Sequence, residues 1–388
     1  MRYLLLFACL GLIQAQDLSS SADEYVQSWI RDGLFRGSVL VAKDGKPVFQ
    51  KSYGMANEEW SIPNASDTRF RLGSITKQFT AAAILQQIEQ GKLQLTDPVS
   101  KYYTDAPEAW KGITIHHLLN HTSGIPSYTA LPGFFAKESR ISRTPAEIIK
   151  LTQDKPLEFQ PGEKFVYNNT GYILLGYILE KVTGQTYAEY LDQKIFGPLG
   201  MRDSGYDLAE KMIVRRAAGY AQDGKNTGFL DMSLPYAAGS LYSTVGDLLK
   251  WDQALYGGKV ISADSLAKMT TPGKGDYGYG LVIQEKDGRK IIGHGGGING
   301  FNTNMIRFPD QGVVSVALAN QNTNSVGPIT DNLARLYMGE KITPRAKRDA
   351  IQISSAKFDE LVGEYELRPG FVMKVFRDGE KFMTQATN

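Results

Sequence analysis

The sequence predicts an α+β fold, an α/β sandwich in which an antiparallel sheet is flanked by helices and split by a mostly helical inserted subdomain. Three observations lead there. Strand signals cluster at both ends of the body of the chain, the stretch of about 97–258 reads as helices with long polar connections, and an apolar helix opening at Ser74 falls at the join. With 388 residues, 42% apolar and 22% charged, the chain has room for one large core and a small addition.

Taken in order, Arg2, the apolar run 4–13 and Gln14-Ala15 read as an export signal, with cleavage expected after Ala15. A short membrane anchor is the alternative, but the run is too short to span. The expected location is periplasmic or extracellular, with no membrane span in the mature chain. Cys9, the one cysteine, lies inside the signal, so the processed chain would hold no thiol and no disulfide. Residues 23–31 suggest a short amphipathic helix. Residues 37–43, the turn Asp44-Gly45-Lys46 and residues 47–54 read as a β-hairpin.

The next helix rests on Ile75, Phe79, Ala82, Ala83, Leu85 and Ile88, which recur near helical spacing before Gly91. Inside the insertion, helices are expected at 172–182 and 245–255. Strand signals return at 277–284, 289–293, 303–308 and 313–319, followed by a helix near 329–337. Residues 341–357, polar and basic with Pro344, read as a linker. Segments 358–367 and 371–376 look like strands, but 358–388 is too short to build a barrel core alone. That tail either packs on the main domain (16–340) or begins a further domain of a longer chain. A net charge of +2 without a basic block gives no expectation of a nucleic-acid partner.

Ser74 and Lys77 stand three apart in Arg71-Leu72-Gly73-Ser74-Ile75-Thr76-Lys77. On a helix that spacing puts amine and hydroxyl on one face. At a helix start, unpaired N–H groups and the positive end of the dipole suit a developing oxyanion and favour a neutral amine. This is the chemistry of a Ser–Lys acyl-transfer pair. Two other S-x-x-K runs, Ser265…Lys268 and Ser354…Lys357, are read as solvated surface and linker side chains.

Tyr167-Asn168-Asn169 precedes an apolar helix. A phenol beside the Lys77 ammonium would have a lowered pKa and could relay the serine proton, and Asn169 offers an amide suited to a peptide-like group. The competing reading is a packed tyrosine and a helix N-cap. Gly293-His294-Gly295-Gly296-Gly297 lies between two strand signals, where glycines let substrate backbone approach a sheet edge, and His294 is placed to bond substrate or Tyr167. Gly295-x-Gly297-x-x-Gly300 mimics a dinucleotide fingerprint but leads into a strand. His116, His117 and His121 lack the glutamate of a zinc-protease motif, since Leu118 fills its place. They read as caps and packing at a helix end, and no metal or cofactor is expected.

In order and context, these three segments resemble the serine β-lactamase-related hydrolases, which include class C β-lactamases, D-alanyl-D-alanine carboxypeptidases, D-aminopeptidases and family VIII esterases. His117-Leu118-Leu119-Asn120-His121-Thr122-Ser123-Gly124-Ile125 and Phe196-Gly197-Pro198-Leu199-Gly200-Met201 add to the likeness, which covers about 22–338. The resemblance implies the β-lactamase/transpeptidase-like fold. It makes Ser74 the acylated nucleophile, Lys77 its activator and Tyr167 the general base and acid. Asn169, His294 and Gly296 would bind substrate, and the N–H groups of Ser74 and Gly297 would form the oxyanion hole. Which of Lys77 and Tyr167 takes the first proton stays open. The expected substrate is a small ester, amide or peptide, cell-wall peptides among them.

One departure bears on substrate. His294-Gly295-Gly296 stands where penicillin-recognising members carry Lys-Thr-Gly. Losing that fixed cation removes roughly 1.5–3 kcal/mol of carboxylate recognition. The expectation is therefore an exported esterase- or peptidase-like enzyme with weak β-lactam hydrolysis at most. A penicillin binder or sensor without turnover is the non-enzymatic alternative.

Overall fold

The hairpin forms from strands Gly37–Lys43 and Lys46–Tyr53, and the first of these pairs along its whole length with Val313–Ala319 near the far end of the sequence. A computed structural model describes residues 2–347 and 352–387, with side chains from residue 17 to residue 386. Six antiparallel strands make the main sheet: Lys46–Tyr53, Gly37–Lys43, Val313–Ala319, Phe301–Phe308, Arg289–Ile298 and Val282–Lys286, in that spatial order. Alternation assigns the faces. Leu40, Ala42, Val314, Val316 and Leu318 point into the larger core, and Val39, Val41, Val313, Ala317 and Ala319 into the smaller one.

The smaller core is closed by two amphipathic helices, through Tyr25, Val26 and Trp29 of Arg2–Arg31 and Ile329, Leu333 and Ala334 of Val326–Tyr337. The larger core holds the helix that follows Ser74, Thr76–Glu89, which is buried all round: Phe79 stacks on Trp251 of Val245–Tyr256 with ring centroids 4.1 Å apart. A helix buried on every side has no polar face to show. Asn169–Thr183 crosses beside it. There Gly176 admits the Tyr236 ring, which a Cβ would meet at 2.4 Å.

The mixed helix–sheet architecture agrees with the α+β expectation, and the differences have local causes. The N-terminal helix is one element, Arg2–Arg31, rather than a short helix from residue 23. Among the described residues, no helix is long and apolar enough to cross a membrane. Residues 277–281 are not the start of a strand. Gly280, with φ +70°, passes so near the backbone of Lys77 that a Cβ would stand 2.5 Å from its carbonyl oxygen. The strand therefore begins at Val282. The glycine run is not a loop: Arg289–Ile298 is continuous strand, and the turn falls at Asn299-Gly300.

The insertion also contributes strand. Gly205–Tyr206 and Leu241–Ser243 join Phe70–Arg71 in a three-stranded sheet just ahead of the nucleophile turn. Buried Asp207 takes Arg71 at 2.7 Å and Arg216 at 2.6 Å, anchoring that sheet.

The second unit runs from Ala346. Its residues 348–351, within the expected linker, lie outside the described residues. Ser354 caps a short helix, Ser355–Asp359, so Phe358 belongs to a helical turn rather than a strand and stacks on Phe382 at 4.1 Å. Gly363–Arg368, Phe371–Asp378 and Lys381–Thr387 then form an antiparallel three-stranded sheet.

Candidate active site

Gly73 makes the approach that creates the site. It has φ +55°, and a Cβ there would stand 2.9 Å from the amide nitrogen of Gly297, so the nucleophile turn and the glycine-rich strand meet backbone to backbone. Ser74 occupies a 3₁₀ turn, Gly73–Ile75, that runs directly into the helix Thr76–Glu89. The neighbouring strand Val282–Lys286 pairs only as far as Gly293. Beyond that point no second strand among the described residues covers this edge of Arg289–Ile298.

Lys77 has no solvent-exposed surface. Its Nζ lies 3.1 Å from Ser74 Oγ, 2.9 Å from Asn169 Oδ1 and 2.8 Å from the carbonyl oxygen of Ala238. Burial drives its pKa well below the usual lysine range, as expected for an amine stripped of water. A neutral amine has two N–H bonds and one lone pair. Asn169 Oδ1 and the Ala238 carbonyl only accept, so they take both hydrogens and leave the lone pair for the Ser74 hydroxyl. The Asn169 orientation is fixed in turn, because its Nδ2 donates to Thr129 Oγ1 at 3.0 Å.

Tyr167 lies over Lys77, with Nζ 4.8 Å from the ring centroid. The expected lowering of its pKa does not occur. Although 37% of the residue is exposed, the densely packed surroundings desolvate the phenol and raise its pKa, and a hydrogen bond with Ser74 opposes this only in part. The physical reason is that burial has already removed the Lys77 charge that was expected to stabilise a phenolate.

The other expected residues divide. Asn169 lines the cavity beside Ser74 and also orients Lys77, while the helix cap is Asn168, whose Oδ1 accepts from the Gly171 N–H at 2.7 Å. Gly297 faces the same cavity. His294 does not bond Tyr167: its Nε2 pairs with Tyr277 Oη at 2.9 Å, and the Tyr167 ring centroid is 6.0 Å away. Desolvation lowers its pKa to about 4. Gly296 turns away from the cavity. A Cβ on it would meet the Leu72 carbonyl oxygen at 2.0 Å and Thr303 Oγ1 at 2.4 Å, so its smallness serves packing under the nucleophile turn.

The remaining motifs resolve into structure. His117 shares a capping box with Thr114, and His116 Nδ1 meets Tyr279 Oη at 2.7 Å. Ser265, expected in solvent, is buried one turn into its helix, whereas Lys268 is exposed.

A cavity of about 320 Å³ opens at Ser74. Tyr128, Phe134, Phe135, Leu230, Leu234 and Pro235 supply its apolar wall, and among the described residues no charged side chain lines it. Sequence reasoning missed this wall, and missed Ala238 as a partner of Lys77 and Thr129 as a partner of Asn169. Their segments carry short helical turns with no sustained period to mark them.

Comparison with known proteins follows the same lines. The Beta-lactamase family model matches residues 26–339. The chain is 31% identical to penicillin-binding protein 4* of Bacillus subtilis, over 89% of this chain and 83% of that one. It is 26% identical to the D-aminopeptidase of Brucella anthropi, over 73% and 56% respectively. Among solved structures, a penicillin-binding protein from Bacillus halodurans superposes with a TM-score of 0.72 at 32% identity, covering 80% of this chain and 99% of that one. The D-amino acid amidase of Ochrobactrum anthropi SV3 gives 0.75 at 26%, covering 83% and 99%.

Proposed function

The chain belongs to the β-lactamase family, a family that includes serine hydrolases, and from that membership we propose that it is an exported serine hydrolase acylated on Ser74 by an uncharged ester or amide. The observation that carries the reading is the setting of Lys77, a fully buried amine 3.1 Å from Ser74 Oγ whose other two partners, Asn169 Oδ1 and the Ala238 carbonyl oxygen, can only accept.

Lys77 takes the hydroxyl proton as Oγ attacks the carbonyl carbon. The oxyanion is received by the N–H groups of Ser74 and Gly297. Tyr167 gives its proton to the leaving alcohol or amine and regains one from Lys77. An ester on Ser74 remains. Water then adds to that ester, losing its proton to the same pair, and the acid departs as Ser74 Oγ is reprotonated.

The charge-free lining favours an uncharged acyl group, because an unpaired ion buried there would lose its hydration without compensation. The names of the relatives support a second reading, a D-alanyl carboxypeptidase or D-aminopeptidase acting on cell-wall peptides. That reading needs a partner for a substrate carboxylate or ammonium, which His294, facing Tyr277, does not provide.

A fluorophosphonate probe tests the nucleophile: wild type is labelled and Ser74→Ala is not. Equal labelling of the two removes the assignment. Parallel assays with p-nitrophenyl butyrate, D-alanyl peptides and nitrocefin rank the substrate classes. A burst of acylation without steady product would mark a binder rather than an enzyme.

A further inference from the structure

His121 has no part in the chemistry above, yet it lies against it. It is buried and adopts φ +60°, a conformation costly for a residue with a Cβ. Its carbonyl oxygen accepts from the Val166 N–H at 3.0 Å, and its Nδ1 accepts from the Asn168 N–H at 3.1 Å. The two backbone amides that flank Tyr167 therefore both end on this one residue.

The His121 ring centroid is 4.4 Å from that of Tyr167, 4.6 Å from Tyr277 and 5.1 Å from Tyr172. Because Nδ1 accepts, the ring proton sits on Nε2, and this buried atom has no partner. The other polar atoms of the cluster are engaged. Tyr172 Oη bonds the Leu119 carbonyl, Tyr277 Oη bonds His294, His294 Nδ1 meets the Gly295 carbonyl, and Tyr167 meets Ser74. Burial holds the His121 imidazole neutral.

A strained backbone and an unspent buried donor are both costs to the folded state. They coincide behind a tyrosine that no regular element carries: Tyr167 is partly exposed and lies in an irregular segment just before its helix. We propose that His121 is a positioning residue for Tyr167, pinning the chain on both sides of it and backing its ring so that the phenol meets Ser74. This inference rests on the roles given to Ser74, Lys77 and Tyr167 above.

The test is a double-mutant cycle with p-nitrophenyl butyrate. His121→Asn tolerates positive φ and keeps an acceptor, but removes the ring. Its kcat is expected to fall about tenfold or more with KM within about twofold, and in a Tyr167→Phe background the further loss should shrink to under about twofold. His121→Phe, which keeps the ring and loses the acceptor, serves as a second arm if the first variant does not fold. Full kcat in the folded variant, or losses that add in the double mutant, overturn the proposal. A Ser74→Ala control separates the two levels: if it retains turnover the nucleophile assignment fails, whereas additive losses with Ser74 essential remove only the role of His121.

Discussion

Asn169→Asp puts the neutral-amine step under direct strain. The substitution places a carboxylate where Asn169 Oδ1 now stands, 2.9 Å from Lys77 Nζ. Coulomb's law at that distance, with an effective dielectric near 20, gives about 6 kcal/mol of attraction for the ammonium form, roughly four pH units. Desolvation of the new carboxylate returns part of this, so a rise of about two to four is expected in the Lys77 pKa. The sign is fixed by the mechanism. The active amine is neutral, so a raised pKa keeps it charged to higher pH and moves the acid limb of kcat/KM upward. At any pH below the new limb, each further unit costs about tenfold.

The assay is kcat/KM for p-nitrophenyl butyrate across pH, with Asn169→Ala as the uncharged control. The alanine variant loses one hydrogen bond to Lys77, worth about tenfold at most, and leaves the limb near its wild-type place. An aspartate variant with an unmoved limb and a uniform loss at every pH would show that Lys77 works as an ammonium. The lone-pair argument would then be wrong.

Three further outcomes are expected. His294 titrates at about 4 when folded against 6.5 when exposed; the unfolded chain therefore takes up the proton first, and stability present above pH 6.5 is lost as pH falls toward 4, by about 3 kcal/mol. His294→Gln should flatten that part of a Tm-against-pH curve, and an unchanged slope would contradict the burial argument. Gly296→Ala should cost about 1–3 kcal/mol or more in urea unfolding, because its Cβ meets backbone, whereas Gly295→Ala, whose nearest neighbour is Asn304 Oδ1 at 3.4 Å, should stay within about 0.5 kcal/mol. Finally, p-nitrophenyl butyrate should exceed p-nitrophenyl hemisuccinate in kcat/KM by about tenfold or more, since none of the lining residues carries a charge to pair with a carboxylate; equal rates would point to a different acyl site.

The sequence made the sheet legible where an apolar, β-branched run was sustained. Residues 313–319 were placed as the strand Val313–Ala319, buried along its whole length. It failed where backbone contacts rather than side-chain pattern decide the element. Gly278 and Gly280 break an otherwise apolar run because they pass against Met269 and Lys77, and nothing in the run itself announces those neighbours. Ser74 and Lys77 were legible because three residues of helix fix their relation. Asn169 was singled out, but its contact with Lys77 was invisible, since it joins positions far apart in sequence. The pKa of Tyr167 was misjudged for a related reason: spacing shows that an amine is near, but only burial shows that it has lost its charge.

The pairing of Gly37–Lys43 with Val313–Ala319 has a consequence for how the molecule comes into being. Val39 faces Ala317, and Leu40 faces Val316, so the hairpin made first must wait, one edge unsatisfied, until nearly the whole catalytic unit has been synthesised. Such distant closure slows assembly and exposes strand edges meanwhile. On the proposed role of the late Gly297 amide, labelling of Ser74 would then read out completion of the sheet, and truncation ahead of residue 313 should leave a chain that never becomes reactive.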